Sequence, residues 1–91
     1  MDPILQAISQ YLRDNGVETI IDNTYKERIT THVKTTLIHI SKETNTKIII
    51  YSYHPWYTTK IDINHPDSLQ EILKTIQKCK TQILSDRSIN T

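Results

Sequence analysis

Four aromatic side chains and two lysines are concentrated in one short stretch of the chain, Lys47–Lys60. The chain has one Trp and five Tyr, and Tyr51, Tyr53, Trp56 and Tyr57 fall within seven residues. Exposed aromatic rings can stack on nucleic-acid bases, while neighbouring lysines contact the phosphates. The same rings can instead anchor a protein partner, since Trp and Tyr are enriched at binding hot spots. The spacing therefore indicates a binding surface, provided that one face of a sheet presents these side chains together.

No residue pattern in the sequence predicts catalysis or a metal site. The four histidines lack the short spacing of a zinc site, and the single cysteine, Cys79, has no cysteine neighbour. The acidic residues form no evident pair for general acid–base chemistry, and a chain whose one glycine is Gly16 has no glycine-rich phosphate loop. We therefore predict a non-enzymatic protein with no catalytic residue, no metal and no cofactor.

Composition and charge describe a small protein of one domain. Its 91 residues carry a net charge of +1 and are 36% hydrophobic, with a pI of about 7.9 and a mean hydropathy of −0.49. Nucleic-acid-binding domains often have a pI above ~9, so any phosphate contact must come from local patches. The lone cysteine suits a reducing compartment, and no segment approaches the ~18 apolar residues of a membrane span. We expect a soluble, cytoplasmic protein with no membrane partner, and the abundance of Ile, Thr, Lys and Asn indicates an AT-rich viral or mobile-element genome.

The apolar spacing predicts two helices on either side of a group of strands. Asp2-Pro3 begins an amphipathic helix that ends at Asn15-Gly16, and a second helix begins near His65-Pro66-Asp67. Between the helices, alternating side chains predict strands over Val17–Asp22, Arg28–Ile40, Thr46–His54 and Tyr57–Asn64. The element order is α-β-β-β-β-α. Residues 1–84 are predicted to form a single α+β domain, and residues 85–91 a flexible C-terminal tail.

Three hairpin registers agree on which strand side chains point toward the helices. We expect Ile21 to lie opposite Ile29. Independently, the second hairpin is expected to place Leu37 opposite Ile50, and the third to place Ile50 opposite Ile61. The face on which the helices are predicted to pack comprises Val17, Ile21, Ile29, Val33, Leu37, Ile48, Ile50, Ile61 and Ile63. The sequence thus predicts a four-stranded antiparallel meander with the N-terminal and C-terminal helices on one face.

The opposite face of this sheet is the predicted binding surface. It combines lysines with aromatic rings, and the candidate nucleic-acid or partner-binding residues are Lys34, Lys47, Tyr51, Tyr53, Trp56 and Lys60. It also carries isoleucines predicted to form a dimer interface, Ile38, Ile40 and Ile49. Three uses stay open: binding a single-stranded nucleic acid, binding a protein partner, or serving as an ordinary half-exposed sheet of high strand propensity. We predict a homodimer formed by this face or by the final helix.

Residues 46–84 resemble the C-terminal half of a known type of DNA-binding domain. The segment TKIIIYSYHPWYTTKIDINHPDSLQEILKTIQKCKTQIL runs through Ile61-Asp62-Ile63-Asn64-His65-Pro66 into a helical stripe over Leu69–Ile83. It is similar to the transcriptional-coactivator/Whirly type of single-stranded DNA-binding domain. The resemblance implies a curved antiparallel sheet, a helix that pairs with its copy in a dimer, and single-stranded nucleic acid as the expected ligand. The alternative partner is a host protein that the chain inhibits or adapts through the same face.

Overall fold

The computed structural model describes residues 2–24, 26–33, 36–53 and 56–89, with Val33 and residues 80–89 described by backbone alone. Helices α1 (Pro3–Asp14) and α2 (Ser68–Ile89) lie at the two ends of the chain. The strands between them are β1 (Ile20–Asp22), β2 (Arg28–Val33), β3 (Thr36–Lys42), β4 (Lys47–Tyr53) and β5 (Trp56–Asp62). They pair antiparallel in one sheet, in the order β1-β2-β3-β4-β5. The α+β class is confirmed, and the described residues form five strands where four were predicted.

Helix α1 begins and ends where the sequence predicts. The Asp2 carboxylate accepts hydrogen bonds from the backbone N–H groups of Ile4 and Leu5, at 2.8 and 3.3 Å. This side chain satisfies donors that the first turn of a helix cannot pair internally. At the other end Gly16 has a φ of 83°, and its N–H donates to the carbonyl of Arg13 at 3.1 Å. A glycine adopts this left-handed conformation without a Cβ clash, so it ends the helix at low cost.

Three polar contacts hold α1 against the sheet. The Asp2 carboxylate pairs with the Lys42 ammonium at 2.9 Å, and the Asp2 backbone N–H donates to the Glu27 carboxylate at 2.6 Å. Farther along the helix, the buried hydroxyls of Ser9 and Thr19 lie 2.7 Å apart. These contacts join residues 10, 25 and 40 positions apart in sequence, so they tie α1 to a strand or to residues next to one.

The apolar core lies between the sheet and the two helices. The sheet contributes Ile29, Ile38, Ile40, Ile48, Ile50 and Ile61. The helices contribute Leu5, Ile8, Leu12, Ile72, Ile76 and Cys79. Because residues of α1 and α2 belong to one cluster with one set of strand isoleucines, both helices pack on the same face of the sheet, as predicted.

The predicted strand Arg28–Ile40 is two strands, which is the main departure from the sequence prediction. The chain reverses direction between Val33 and Thr36, which lie opposite each other as the last pair of a hairpin. A continuous strand over Arg28–Ile40 would exceed the usual ~3–10 residues, whereas the two strands have six and seven. The reversal changes the alternation, so odd-numbered residues face the helices in β2 and even-numbered residues face them in β3.

This reversal places the residues of β3 on the face opposite to the predicted one, and three of them are large and apolar. Leu37, predicted to be in the core, is 40% exposed on the face away from the helices. Ile38 and Ile40, predicted to lie on that outward face as part of a dimer interface, are buried in the core at 1% and 0% exposure. The predicted outward placement of Ile38 and Ile40 was therefore wrong.

The other registers agree with the predicted faces. Ile21 lies opposite Ile29, as predicted. Ile50 lies opposite Ile40 in β3 and opposite Thr59 in β5, rather than opposite the predicted residues Leu37 and Ile61. The change between β4 and β5 is a shift of two residues, which leaves every side chain of these strands on its predicted face. Tyr51 and Tyr53 accordingly point away from the helices.

The exchange of faces in β3 predicts opposite consequences for neighbouring substitutions. Ile40→Ala removes a fully buried side chain, so the free energy of unfolding should fall by about 2–5 kcal/mol. Leu37→Ala shortens a side chain on the open face, so the change should stay within about 0.5 kcal/mol. Urea denaturation of the two variants measures both values. A large loss for Leu37→Ala together with a small one for Ile40→Ala would contradict the fold.

Candidate binding surface on the open face of the sheet

We call the face of the sheet that points away from both helices the outer face. Alternation along the paired strands places on it Ile20, Asp22, Arg28, Thr30, His32, Leu37, His39, Ser41, Lys47, Ile49, Tyr51, Tyr53, Trp56, Thr58, Lys60 and Asp62. In the described part of the chain, no helix or strand covers this face. Its central small and polar side chains are nevertheless buried, because the longer side chains beside them close over the sheet.

The large apolar side chains that are most exposed all lie on the outer face. Among the described residues, these are Ile20 at 57%, Leu37 at 40%, Tyr53 at 55% and Trp56 at 69%. Leu37, Tyr53 and Trp56 lie where the β2–β3 and β4–β5 hairpins reverse, which is one end of the sheet. We call these three residues the apolar end. Trp56 does not fold back over the core, so its ring is available to a partner.

Four rings form a continuous row that leads from the middle of the outer face to the apolar end. Tyr51 and Tyr53 are two residues apart on β4, so they share a face, and their centroids are 5.7 Å apart in an edge-to-face arrangement. His39, opposite Tyr51, lies 5.1 Å from that ring and 6.0 Å from Tyr53. Trp56, opposite Tyr53, lies 6.2 Å from it. These are the distances at which aromatic pairs attract, so the row stabilises the orientation of its exposed members.

His39 is the buried member of this row. It is 3% exposed, and its Nδ1 lies 3.0 Å from the hydroxyl of Thr30 on the neighbouring strand. Burial and the nearby Arg28 guanidinium lower the pKa of His39 below the ordinary value of 6.5. The imidazole is therefore neutral at pH 7, and it supports the tyrosines above it without adding a charge to the face.

The end of the outer face opposite the apolar end carries charged side chains, four of which form two ion pairs. The Arg28 guanidinium bonds the Asp22 carboxylate at 3.1 Å and donates to the hydroxyl of Tyr51 at 3.1 Å. Hydrogen bonds from the hydroxyl and backbone N–H of Thr24, together with Arg28, lower the pKa of Asp22 to about 2. We call this end the charged end, and it comprises Asp22, Arg28, Glu43, Lys47, Lys60 and Asp62.

The lysines predicted to accompany the tyrosines lie at the charged end or outside the described residues. Lys60 pairs with Glu43 at 2.9 Å, and Lys47 lies opposite Asp62. Lys34 lies outside the described residues. Of the predicted binding residues, the structure brings together Tyr51, Tyr53 and Trp56. Lys60 is a diagonal neighbour of Tyr51, but both Lys60 and Lys47 lie farther along the sheet from Tyr53 and Trp56. Ile49 is half-buried opposite Lys60.

Three contributors to this surface were missed at the level of sequence. Leu37 and His39 were assigned to the opposite face, because Arg28–Ile40 was read as one strand. Arg28 was not considered, because its partner Tyr51 is 23 positions away in sequence. The length of the predicted strand was the available signal, since splitting it places Leu37 and His39 beside the tyrosines.

No metal site is apparent among the described residues. In that part of the chain, no three His, Cys, Asp or Glu side chains are grouped so that they could hold a metal ion. Cys79 is buried in the core beside Tyr57, and burial raises the pKa of its thiol. Within the described ranges, no helix is long and apolar enough to cross a membrane.

Comparison with protein-family models, with curated proteins and with solved structures finds no match to this chain. The resemblance of residues 46–84 to the Whirly type of domain therefore stays a prediction. The function must be argued from the geometry of the outer face.

The buried His39 predicts a pH dependence of stability. Because its pKa is lowered in the folded state, the unfolded chain binds a proton near pH 6.5 while the folded chain does not. The free energy of unfolding should fall as the pH is lowered through 6.5, until the folded-state pKa is reached. His39→Gln should remove this contribution, which denaturation at a series of pH values measures. Parallel pH profiles for the wild type and the variant would contradict the assignment.

Proposed function

We propose that this chain is a non-enzymatic interaction protein whose apolar end binds a partner protein. The observation that carries the proposal is the separation of the outer face into an exposed apolar end and a charged end where Arg28 and Lys60 are already in ion pairs. Leu37, Tyr53 and Trp56 are large, exposed side chains at the same end of the sheet. Exposed apolar patches of this kind are typical of protein interfaces. Trp and Tyr are also the residues that most often dominate binding energy.

The chemistry of the surface defines the partner. An uncharged aliphatic or aromatic side chain fits beside Leu37 and the two rings, because burying it removes apolar area from water without stranding a charge. The cations of the charged end have acidic neighbours, so they offer little net attraction to a highly charged ligand. The amino-acid composition indicates a viral or mobile-element genome. The expected target is therefore a host protein, which the chain would inhibit or adapt.

Single-stranded nucleic acid is the competing candidate, and the exposed rings favour it. Tyr53 and Trp56 could each stack a base, at about 1–3 kcal/mol per base. Phosphates, however, require free cations beside the exposed rings. On the outer face, Arg28 is bonded to Asp22 and Lys60 to Glu43, and Lys47 lies opposite Asp62 at the charged end. The apolar end therefore supports a protein partner better than a nucleic acid.

Selection of peptides from a random display library against the purified protein tests the proposal. We expect enrichment of uncharged peptides with aliphatic or aromatic residues. Trp56→Ala should weaken a selected peptide by more than about tenfold, as expected for a hot-spot residue. Ile20→Ala is the matched control, because Ile20 is an exposed apolar residue of the same face but lies on β1, and it should leave affinity unchanged.

The salt dependence of binding separates the two candidates. Peptide affinity should change little with ionic strength, because apolar contacts are not screened. The same titrations are made with oligonucleotides of mixed sequence. For a nucleic-acid ligand, the plot of log affinity against log salt concentration should steepen by about one unit for each phosphate contacted. If oligonucleotides bind in this way and the library yields no peptide, the protein-binding proposal is wrong and the nucleic-acid function replaces it.

A further inference from the structure

The two open edges of the sheet differ in how they are protected. Strand β1, at one edge, has three residues and ends in the Asp22–Arg28 ion pair. Strand β5, at the other edge, has seven residues and pairs with β4 along its whole length with no interruption of register. Native proteins usually keep edge strands short, bulged, charged or covered, because a long regular edge is a template for pairing with another strand. The edge at β5 has none of these four protections in full.

The hydrogen-bonding alternation identifies which backbone groups of β5 are free. The N–H of Ile63 donates to the carbonyl of Thr46 at 2.9 Å, in continuation of the register that places Asp62 opposite Lys47. Bonded and non-bonded pairs alternate along an antiparallel ladder. The odd-numbered residues of β5 therefore bond to β4, and the even-numbered residues direct their N–H and C=O groups away from the sheet.

The outward groups at the centre of β5 have no partner within the described residues. The carbonyl of Asp62 accepts a bond from the N–H of His65, at 3.3 Å. In the described part of the chain, no backbone or side-chain hydrogen bond engages the outward N–H and C=O groups of Thr58 and Lys60. Four strong hydrogen-bonding groups thus lie in a row, spaced as a further strand requires.

The single lysine of β5 does not guard this edge. A lysine on an edge strand normally discourages pairing, because its charge must remain in water. The ammonium of Lys60 instead bonds Glu43, which follows β3, at 2.9 Å. This contact crosses β4, so the side chain leans over the sheet and away from the free edge.

We propose that β5 pairs antiparallel with β5 of a second copy, joining the two sheets across a two-fold axis near Thr59. In this register all seven residues overlap, and the outward even-numbered groups of one strand meet those of the other. Lys60 lies opposite Thr58 of the second copy, and Trp56 opposite Asp62, so no like charges are directly opposed. A second copy is the occupant that matches the edge in length and in hydrogen-bonding alternation, and an isologous contact of this kind closes as a dimer.

Sedimentation equilibrium of the full chain and two variants tests this dimer. The wild type should have twice the 10.7 kDa mass of one chain. Thr58→Pro removes an outward N–H without removing a bond to β4, and proline is tolerated at such edge positions. Its dimer dissociation constant should rise at least about tenfold. Two-fold symmetry removes the Thr58 N–H bond from both copies, and the proline ring sterically opposes strand pairing. Thr58→Val retains the N–H and should keep the wild-type mass, with circular dichroism confirming that both variants fold.

Amide hydrogen exchange of the wild type tests the same dimer even if Thr58→Pro does not fold. The Thr58 and Lys60 amides of the wild type should exchange more slowly as protein concentration rises, since pairing protects them. A wild type that is monomeric at about 100 µM, where a stable interface of ordinary size would associate, would overturn the proposal. So would a dimer that is lost with Leu37→Asp but kept with Thr58→Pro, because that result would place the interface on the outer face.

Discussion

Side chains alternate between the two faces of a strand, so burying one set of isoleucines determines where every other residue of the sheet points. Ile29, Ile40 and Ile50 lie opposite one another on β2, β3 and β4, and all three are fully buried against the helices. A shift of one residue in any of these strands would expose its isoleucine and turn a neighbouring residue toward the helices. The positions of the tyrosines, of His39 and of the charged end follow from this row.

The local part of this arrangement could be predicted from the sequence. Ile48 and Ile50 alternate with Tyr51 and Tyr53 within β4, so the two tyrosines had to share the face away from the core. The helix α1 was equally predictable, because Asp2 and Gly16 act on the residues next to them. Local pattern was sufficient wherever the alternation ran unbroken.

The remaining features depend on contacts that a local pattern does not contain. The chain reverses between Val33 and Thr36, and Lys34-Thr35 offers none of the Gly, Pro, Asn or Asp residues that usually mark a turn. Leu37 was therefore assigned to the core, and Ile38 and Ile40 to the surface. Lys60 was predicted to stand beside the tyrosines, but its bond to Glu43 joins residues 17 positions apart and depends on the finished sheet.

Both proposed contacts arise because a single sheet carries its helices on one face only. One side of the sheet is left with exposed rings and Leu37, which suit side-chain recognition. The edge at β5 is left with unpaired backbone groups, which suit strand addition. The two contacts are compatible, since edge pairing extends the sheet without covering Leu37 or Tyr53.

The central claim is that the outer face presents Leu37 while Ile38 and Ile40 face the helices. Methyl NMR with a soluble paramagnetic relaxation agent measures this directly, because the agent broadens only methyl groups that solvent reaches. The fold predicts strong broadening for Leu37 and weak broadening for Ile38 and Ile40. Strong broadening of the two isoleucines with a protected Leu37 would show that the strand runs on without reversal, and it would contradict the surface described here.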